Sequence, residues 1–177
     1  MNGKFIKAYF DYGIGKRFYP VSILLLGKIV KIKDYIYFAF QSIPKLWRLD
    51  LNGNILDSVD FGGTDWKIIK YDRKEFLKSK KKKRSMAILE LILSGDFIEK
   101  LTRWKNNIVV NVVRNAFEEN PENCFIVISY DFKKVSKVIR YKDYEFSGSG
   151  KYIYLSKELE IDSNYKKCEV LVCDLKF

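Results

Sequence analysis

The sequence predicts an all-β chain made of repeated antiparallel sheets, and three observations carry that expectation. Aromatic residues make up 16% of the chain, with 12 Tyr and 13 Phe beside many Ile and Val, the residue types that fit a pleated, half-buried surface. Short apolar runs follow one another, separated by tight-turn residues rather than by helical spacings. Three of those runs end alike, in an acidic residue followed by Leu or Phe: "RLDL" at Asp50, "SYDF" at Asp131 and "VCDL" at Asp174. With 47% apolar and 31% charged residues over 177 positions, the chain has a globular composition and suits a single domain able to bury a core.

The elements are expected in the following order. Asn2-Gly3 and "KFIKAYF" (4–10) form a turn and an outer strand. "ILLLGKIVKI" (23–32) ends at "KD", and "YIYFAF" (35–40) ends at "QSIP". "KLWRLDL" (45–51) runs into Asn52-Gly53, and "NILDSVDF" (54–61) into Gly62-Gly63. Asn-Gly is a strong hairpin signal because a type I′ turn needs positive φ at both central residues. The run at 35–40 is apolar almost throughout, as a strand buried on both faces should be. The next alternates, with Leu46, Arg48 and Asp50 on one face and Trp47, Leu49 and Leu51 on the other. These runs make one up-and-down sheet of four strands.

The same grammar returns later. "IVVNVV" (108–113), "CFIVISYD" (124–131) and "KVSKVIRY" (134–141) predict strands of a second sheet. "KYIYLSKELEI" (151–161), the turn "DSNY" and "KKCEVLVCDLKF" (166–177) predict a third. Between them lies "DRKEFLKSKKKKRS" (72–85), then "MAILELILSGDFIEKLTRW" (86–104). The latter has two readings. Ile88, Leu91, Ile92 and Leu93 line a short helix broken by Ser94-Gly95, or "AILELIL" is an added strand and "DFIEKLTRW" opens the next sheet; strands are favoured. Asp50, Asp131 and Asp174 are spaced by 81 and 43 residues, bracketing a unit of ~40–50 residues with one long insertion, the period of four-stranded propeller blades.

The stretch "DYIYFAFQSIPKLWRLDLNGNILDSVDFGG" (34–63) resembles a blade of the six-bladed β-propellers of the NHL and TolB-like type. Asp50 stands for the acidic strand end, Asn52-Gly53 for the turn and "NILDSVDF" for the outer strand. The resemblance implies a radial sheet fold used mainly as a binding platform, sometimes as an enzyme, and transfers no functional residue. The expected organisation is one β-propeller-like domain over 1–177. Residues 1–65 supply an outer strand and a first full blade, 66–104 a basic insertion and the start of the second, and 105–177 the remainder and a third. The outer strand at 4–10 would complete the third blade. Three blades make an incomplete ring, which leaves three outcomes open: a ring-completing homodimer, a piece of a longer propeller, or a small open-sheet protein.

Charge and composition narrow the chemistry. Lys and Arg number 33 against 22 Asp and Glu, a formal charge of +11, which favours anionic partners. The chain has no His, which removes the commonest general base and metal ligand. Cys124, Cys168 and Cys173 lack CxxC spacing, so neither a zinc site nor a disulfide framework is indicated, and buried, inert thiols are expected. No cofactor and no metal are indicated. The N-terminal segment lacks a signal-peptide core, and the longest apolar run, "VSILLLG", is far below the ~20 residues of a membrane helix; a cytoplasmic location follows by default.

Candidate polyanion ligands are Lys78, Lys80, Lys81, Lys82, Lys83 and Arg84, joined by Arg103 and Lys105 with Trp104 as a stacking platform. The competing reading of the lysine run is a solvated loop. Trp47 and Trp66 read as packing. Asn2, Gly3, Asp50, Asn52, Gly53, Asp131 and Asp174 mark the structural repeat, the aspartates as caps of backbone N–H groups or, alternatively, as a carboxylate ring for a cation. Asp57, Asp60 and Asp65 lack the loop spacing of a calcium site. The functional expectation is a non-enzymatic binding or assembly module. The alternatives are a nucleic-acid-associated protein using the basic insertion and an enzyme with acidic residues in a central channel.

Overall fold

Runs that are apolar almost throughout have two faces to bury, and the chain buries both by stacking sheets. In the computed structural model, which describes residues 27–63, 66–67, 95–115, 121–141, 144–162 and 165–177, the strands form three antiparallel sheets. The first contains β1 (Gly27–Ile32), β2 (Tyr35–Phe40), β3 (Lys45–Leu49) and β4 (Ile55–Asp60), hydrogen-bonded in chain order. The second contains β5 (Phe97–Trp104), β6 (Asn107–Arg114), β7 (Glu122–Ser129) and β8 (Ile139–Tyr141), also in chain order. The third is β9 (Glu145–Ser149), β10 (Ile153–Asp162) and β11 (Tyr165–Cys173), with β10 central. No helix occurs among the described residues, so none there is long and apolar enough to cross a membrane. The fold is all-β.

The registers explain the packing. Tyr37 lies opposite Arg48, while Phe38 lies opposite Trp47 and Ile36 opposite Leu49. Tyr37, Ala39 and Leu46 therefore share one face of the first sheet, and Ile36, Phe38, Phe40, Trp47 and Leu49 share the other. The first face joins Ile108, Val110, Val112, Cys124, Ile126 and Ile128 of the second sheet in one buried cluster, with Trp66 in it. The opposite face of the second sheet, with Val109, Phe125, Val127 and Tyr141, packs on Ile153 and Leu155 of the third. A third cluster holds Phe40, Trp47 and Leu49 on the opposite face of the first sheet, where the rings of Phe38, Phe40 and Trp47 meet edge to face or tilted. Trp47 and Trp66 are thus packing residues. The second sheet is a filling between two neighbours, which is why β6 and β7 are apolar on both faces.

Several expectations need correction. The hairpin at Asn52-Gly53 is not a two-residue type I′ turn. Gly53 N–H donates to Asp50 C=O (3.1 Å) and Asp50 N–H to Asn54 C=O (3.0 Å), with Gly53 at φ 85° and a register shift between Arg48 and Leu49. This is a β-turn followed by a left-handed residue and a bulge. The strand expected over 134–141 is reduced to β8 and an isolated bridge between Ile128 and Val135. Here Val127 N–H donates to the Ser136 hydroxyl (2.9 Å), so a side chain takes an acceptor position that a ladder carbonyl would fill. β9, "EFSGS", carries no apolar alternation and was not expected. "DFIEKLTRW" opens the second sheet as β5; "AILELIL", Asn2-Gly3 and the strand expected at 4–10 lie outside the described residues.

Candidate functional site at the hairpin end

The opening strands of the three sheets lie side by side: β1 contacts β5, and β5 contacts β9. They also run the same way. Near their starts, Ile98 N–H donates to Gln41 C=O (2.7 Å), and Gln41 follows Phe40, the partner of Gly27. Near their ends, the Ser149 hydroxyl donates to the Arg103 carbonyl and shares a hydrogen bond with the Thr102 hydroxyl (2.9 Å), while Trp104 Nε1–H donates to Lys151 C=O (3.2 Å). The hairpins 33–34, 105–106 and 150–152 therefore share one end of the molecule with the turns that follow β3 and β7. At that end each sheet turns between its opening strand and the next.

The turn after β7 resembles the one after β3 with one more residue in the loop. Phe132 N–H donates to Ser129 C=O (2.9 Å) and Ser129 N–H to Lys134 C=O (2.9 Å), with Phe132 at φ 63° where the first sheet has Gly53. The Asp50 carboxylate accepts from Asn54 N–H and the Asn54 side-chain amide, both at 2.8 Å. In the second sheet Ser129 Oγ takes that place and accepts Lys134 N–H (2.9 Å). The structural counterpart of Asp50 is thus Ser129. Asp131 instead accepts from the Ser129 hydroxyl (2.8 Å) and Lys133 N–H (3.2 Å). Asn54 holds the Asp50 carboxyl below its ordinary 3.8, and Ser129 does the same for Asp131. Carboxyls depressed in the folded state stabilise it above the ordinary carboxylate range and lose that contribution as pH falls through it. Among the described residues Asp174 makes no cap of that kind and pairs with Lys105 Nζ (3.1 Å).

A bulky residue at positive φ needs a reason, and Phe132 has one. Its ring meets Tyr37 edge to face (5.8 Å between centroids), and the Arg48 guanidinium lies 5.5 Å from its centroid and 5.3 Å from that of Tyr35. Arg48 Nη1 donates to Tyr130 C=O (3.4 Å), Nη2 pairs with Asp57 (3.6 Å), and the Tyr37 hydroxyl donates to Tyr130 C=O (2.7 Å). Burial pushes the Tyr37 phenol up. The turn of the second sheet is thus clamped by side chains of the first. Phe132→Ala loses the ring and keeps the backbone strain, whereas Phe132→Gly relieves the strain. Glycine is therefore expected to be the milder substitution by about 1 kcal/mol in urea unfolding; equal or reversed costs would refute the strained clamp.

Of the candidate polyanion ligands, Arg103 and Lys105 fall at this end, with Trp104 between them. Arg103 Nε–H donates to Lys105 C=O (3.0 Å), and Lys105 Nζ sits 4.7 Å from the Trp104 ring centroid. Trp104 is 1% exposed, so its ring is enclosed by the core and the Lys105 side chain and offers no stacking platform. Lys78, Lys80, Lys81, Lys82, Lys83 and Arg84 lie outside the described residues. Sequence reading passed over Lys33, Lys151 and Arg48. Lys33 Nζ stands 5.0 Å from the Tyr130 centroid and Lys151 Nζ 5.3 Å from that of Tyr152. Away from this end, Glu99, Lys100, Asn123, Glu145 and Phe146 line a cleft of about 360 Å³ between the second and third sheets. Its Glu99 carboxylate accepts from the amide of buried Asn111, which in turn accepts from the Tyr141 hydroxyl.

The cysteines divide. Cys124 is buried and its thiol is pushed up to about 11 by burial, which makes it inert. Cys168 is exposed on β11, contrary to the expectation that all three are buried. Among the described residues no group of three or more His, Cys, Asp and Glu is placed to hold a metal ion. No protein-family model, curated protein or solved structure matches this chain.

Proposed function

We propose that the chain is a binding or assembly module on a β-propeller-like scaffold, and that it completes a ring by association with a second copy. The observation that carries this reading is the stacking of three sheets face to face in chain order with their opening strands adjacent, the relation that successive blades have about an axis. The third sheet supports it further. Where the others carry a fourth strand, its described part ends at β11, whose Val170, Leu171 and Val172 are 54%, 41% and 56% exposed. An apolar edge strand is a template for pairing. The fourth strand expected from 4–10, of the same or the second copy, would satisfy it.

Light scattering at micromolar concentration tests the association. The expected result is the mass of a dimer, falling to that of a monomer when Val170 and Val172 are both replaced by Lys. A well-dispersed wild-type monomer would overturn the ring-completing part of the proposal.

A further inference from the structure

We infer that the hairpin lysines Lys33, Lys105 and Lys151 form a surface that grips the phosphates of single-stranded nucleic acid. The inference rests on the stacked-sheet scaffold proposed above, because only that stacking brings the three hairpins to one end.

Position comes first. Each sheet places one lysine in the hairpin between its opening strand and the next: Lys33 between β1 and β2, Lys105 between β5 and β6, and Lys151 between β9 and β10. All three are exposed. Backbone geometry makes the choice of lysine informative. Lys33 and Lys105 both stand at φ 54°, a conformation that Gly, Asn and Asp adopt readily and that costs a longer L-residue extra free energy. With positive φ at the first hairpin residue, turn chemistry alone would select Gly there, and the neighbouring loop does use Gly53 at positive φ. Lysine at a strained hairpin position in two successive sheets therefore contributes something other than the turn, and what it contributes is an ammonium at a set place.

The surroundings narrow the partner. The turn carboxylates of Asp50 and Asp131 are engaged within their own loops, and Asp57 pairs with Arg48. Asp174 is drawn to Lys105, a pair exposed on both sides that a phosphate can displace at little cost. Lys134 is exposed in the adjoining turn and adds to the positive field, whereas Lys133 pairs with Asp131 and exposed Asp34 offsets part of the charge of Lys33. Each hairpin lysine also lies against an aromatic ring. Trp104 is buried and holds its lysine from below, whereas Tyr130 and Tyr152 are half-buried and keep ring surface at the same end. Ammonium groups beside accessible rings match a strand with both phosphates and bases; an acidic polypeptide would use the charges and leave the rings idle.

The test is fluorescence anisotropy with a labelled oligothymidylate of about 20 nucleotides, titrated with salt, a length that exceeds the site of a single small module. The variant is Lys33→Asn, Lys105→Asn, Lys151→Gln, in which asparagine suits the left-handed positions, so thermal unfolding should show no loss of stability. At about 0.7 per phosphate contact on a single strand, removing three contacts should flatten the slope of log K against log salt by about 2. Tyr152→Leu should weaken binding without changing the slope. An unchanged slope in the triple variant, or no binding by the wild type, overturns the inference; lysine-dependent binding of polyglutamate in preference to the oligonucleotide overturns it in favour of an acidic polypeptide. A separate cross-link tests the scaffold: in a chain with Cys124, Cys168 and Cys173 replaced by Ser, Thr102→Cys with Ser149→Cys should form a disulfide. Cross-linking with an unchanged slope removes the nucleic-acid surface and leaves the scaffold standing; failure to cross-link removes the scaffold.

Discussion

Replacing Arg114 by alanine is expected to destabilise the fold by about 3–5 kcal/mol, the range seen when one member of a buried ion pair is left without the other. Asp96 and Arg114 are both buried, and Arg114 Nε–H donates to Asp96 Oδ2 at 3.0 Å. The same carboxylate oxygen accepts Lys67 N–H (3.0 Å), and Asp96 N–H donates to Lys67 C=O (2.9 Å). The pair therefore ties the segment that leaves the first sheet to the start of β5 and the end of β6. Without the guanidinium, Asp96 is a buried carboxylate supported by a single amide of the chain beside it. Its desolvation is then uncompensated. Asp96→Asn should cost less, since the amide still accepts from Lys67, although a buried cation remains. The double replacement Asp96→Leu with Arg114→Met should recover much of the single-variant loss, because an apolar pair of similar volume avoids desolvating any charge. Urea midpoints of the four chains measure this. A loss below about 1 kcal/mol for Arg114→Ala would show that the pair behaves as a surface salt bridge and that the junction is open to water.

Much of the scaffold was legible because short buried strands write themselves as uninterrupted apolar runs. "YIYFAF" and "CFIVIS" became β2 and most of β7, and the faces assigned to Leu46 and Trp47 are those that bury them in separate clusters. Legibility failed where polar atoms do the work of the backbone. Ser136 replaces a ladder partner, so the strand expected at 134–141 shrinks to β8. Asn111 interrupts "IVVNVV" with a buried amide whose partners, Glu99 and Tyr141, come from β5 and β8; nothing within the strand announces them. The repeated aspartates misled for a related reason. Asp50 and Ser129 make the same bond to the same loop position, and a carboxylate and a hydroxyl are interchangeable acceptors there, so matching letters placed Asp131 two residues off. The hairpin lysines were hidden by abundance. In a chain with 33 basic residues, what separates them from ordinary surface charge is their common hairpin position, their ring contacts and the positive φ of Lys33 and Lys105, none of which the letters show.

Trp104 offers the second large effect and links packing to the proposed surface. Trp104→Ala should cost about 3–5 kcal/mol, the usual consequence of emptying a large buried aromatic site. Its ring fills the cluster between the second and third sheets with Val109, Phe125, Val127, Tyr141, Ile153 and Leu155. An exposed stacking residue would respond quite differently, changing stability by no more than about 0.5 kcal/mol. Trp104→Phe separates volume from hydrogen bonding. It keeps most of the packing and loses the bond from Nε1–H to Lys151 C=O, a contribution of about 1 kcal/mol. That bond also fixes the hairpin carrying Lys151, and the indole face lies beneath the Lys105 ammonium. Trp104→Phe should therefore remain folded by circular dichroism while weakening oligothymidylate binding, since two of the three ammonium groups lose their support. If the phenylalanine chain binds as tightly as the wild type at low salt, the hairpin lysines do not need to be held in place, and their strained positions are not an adaptation to a phosphate ligand.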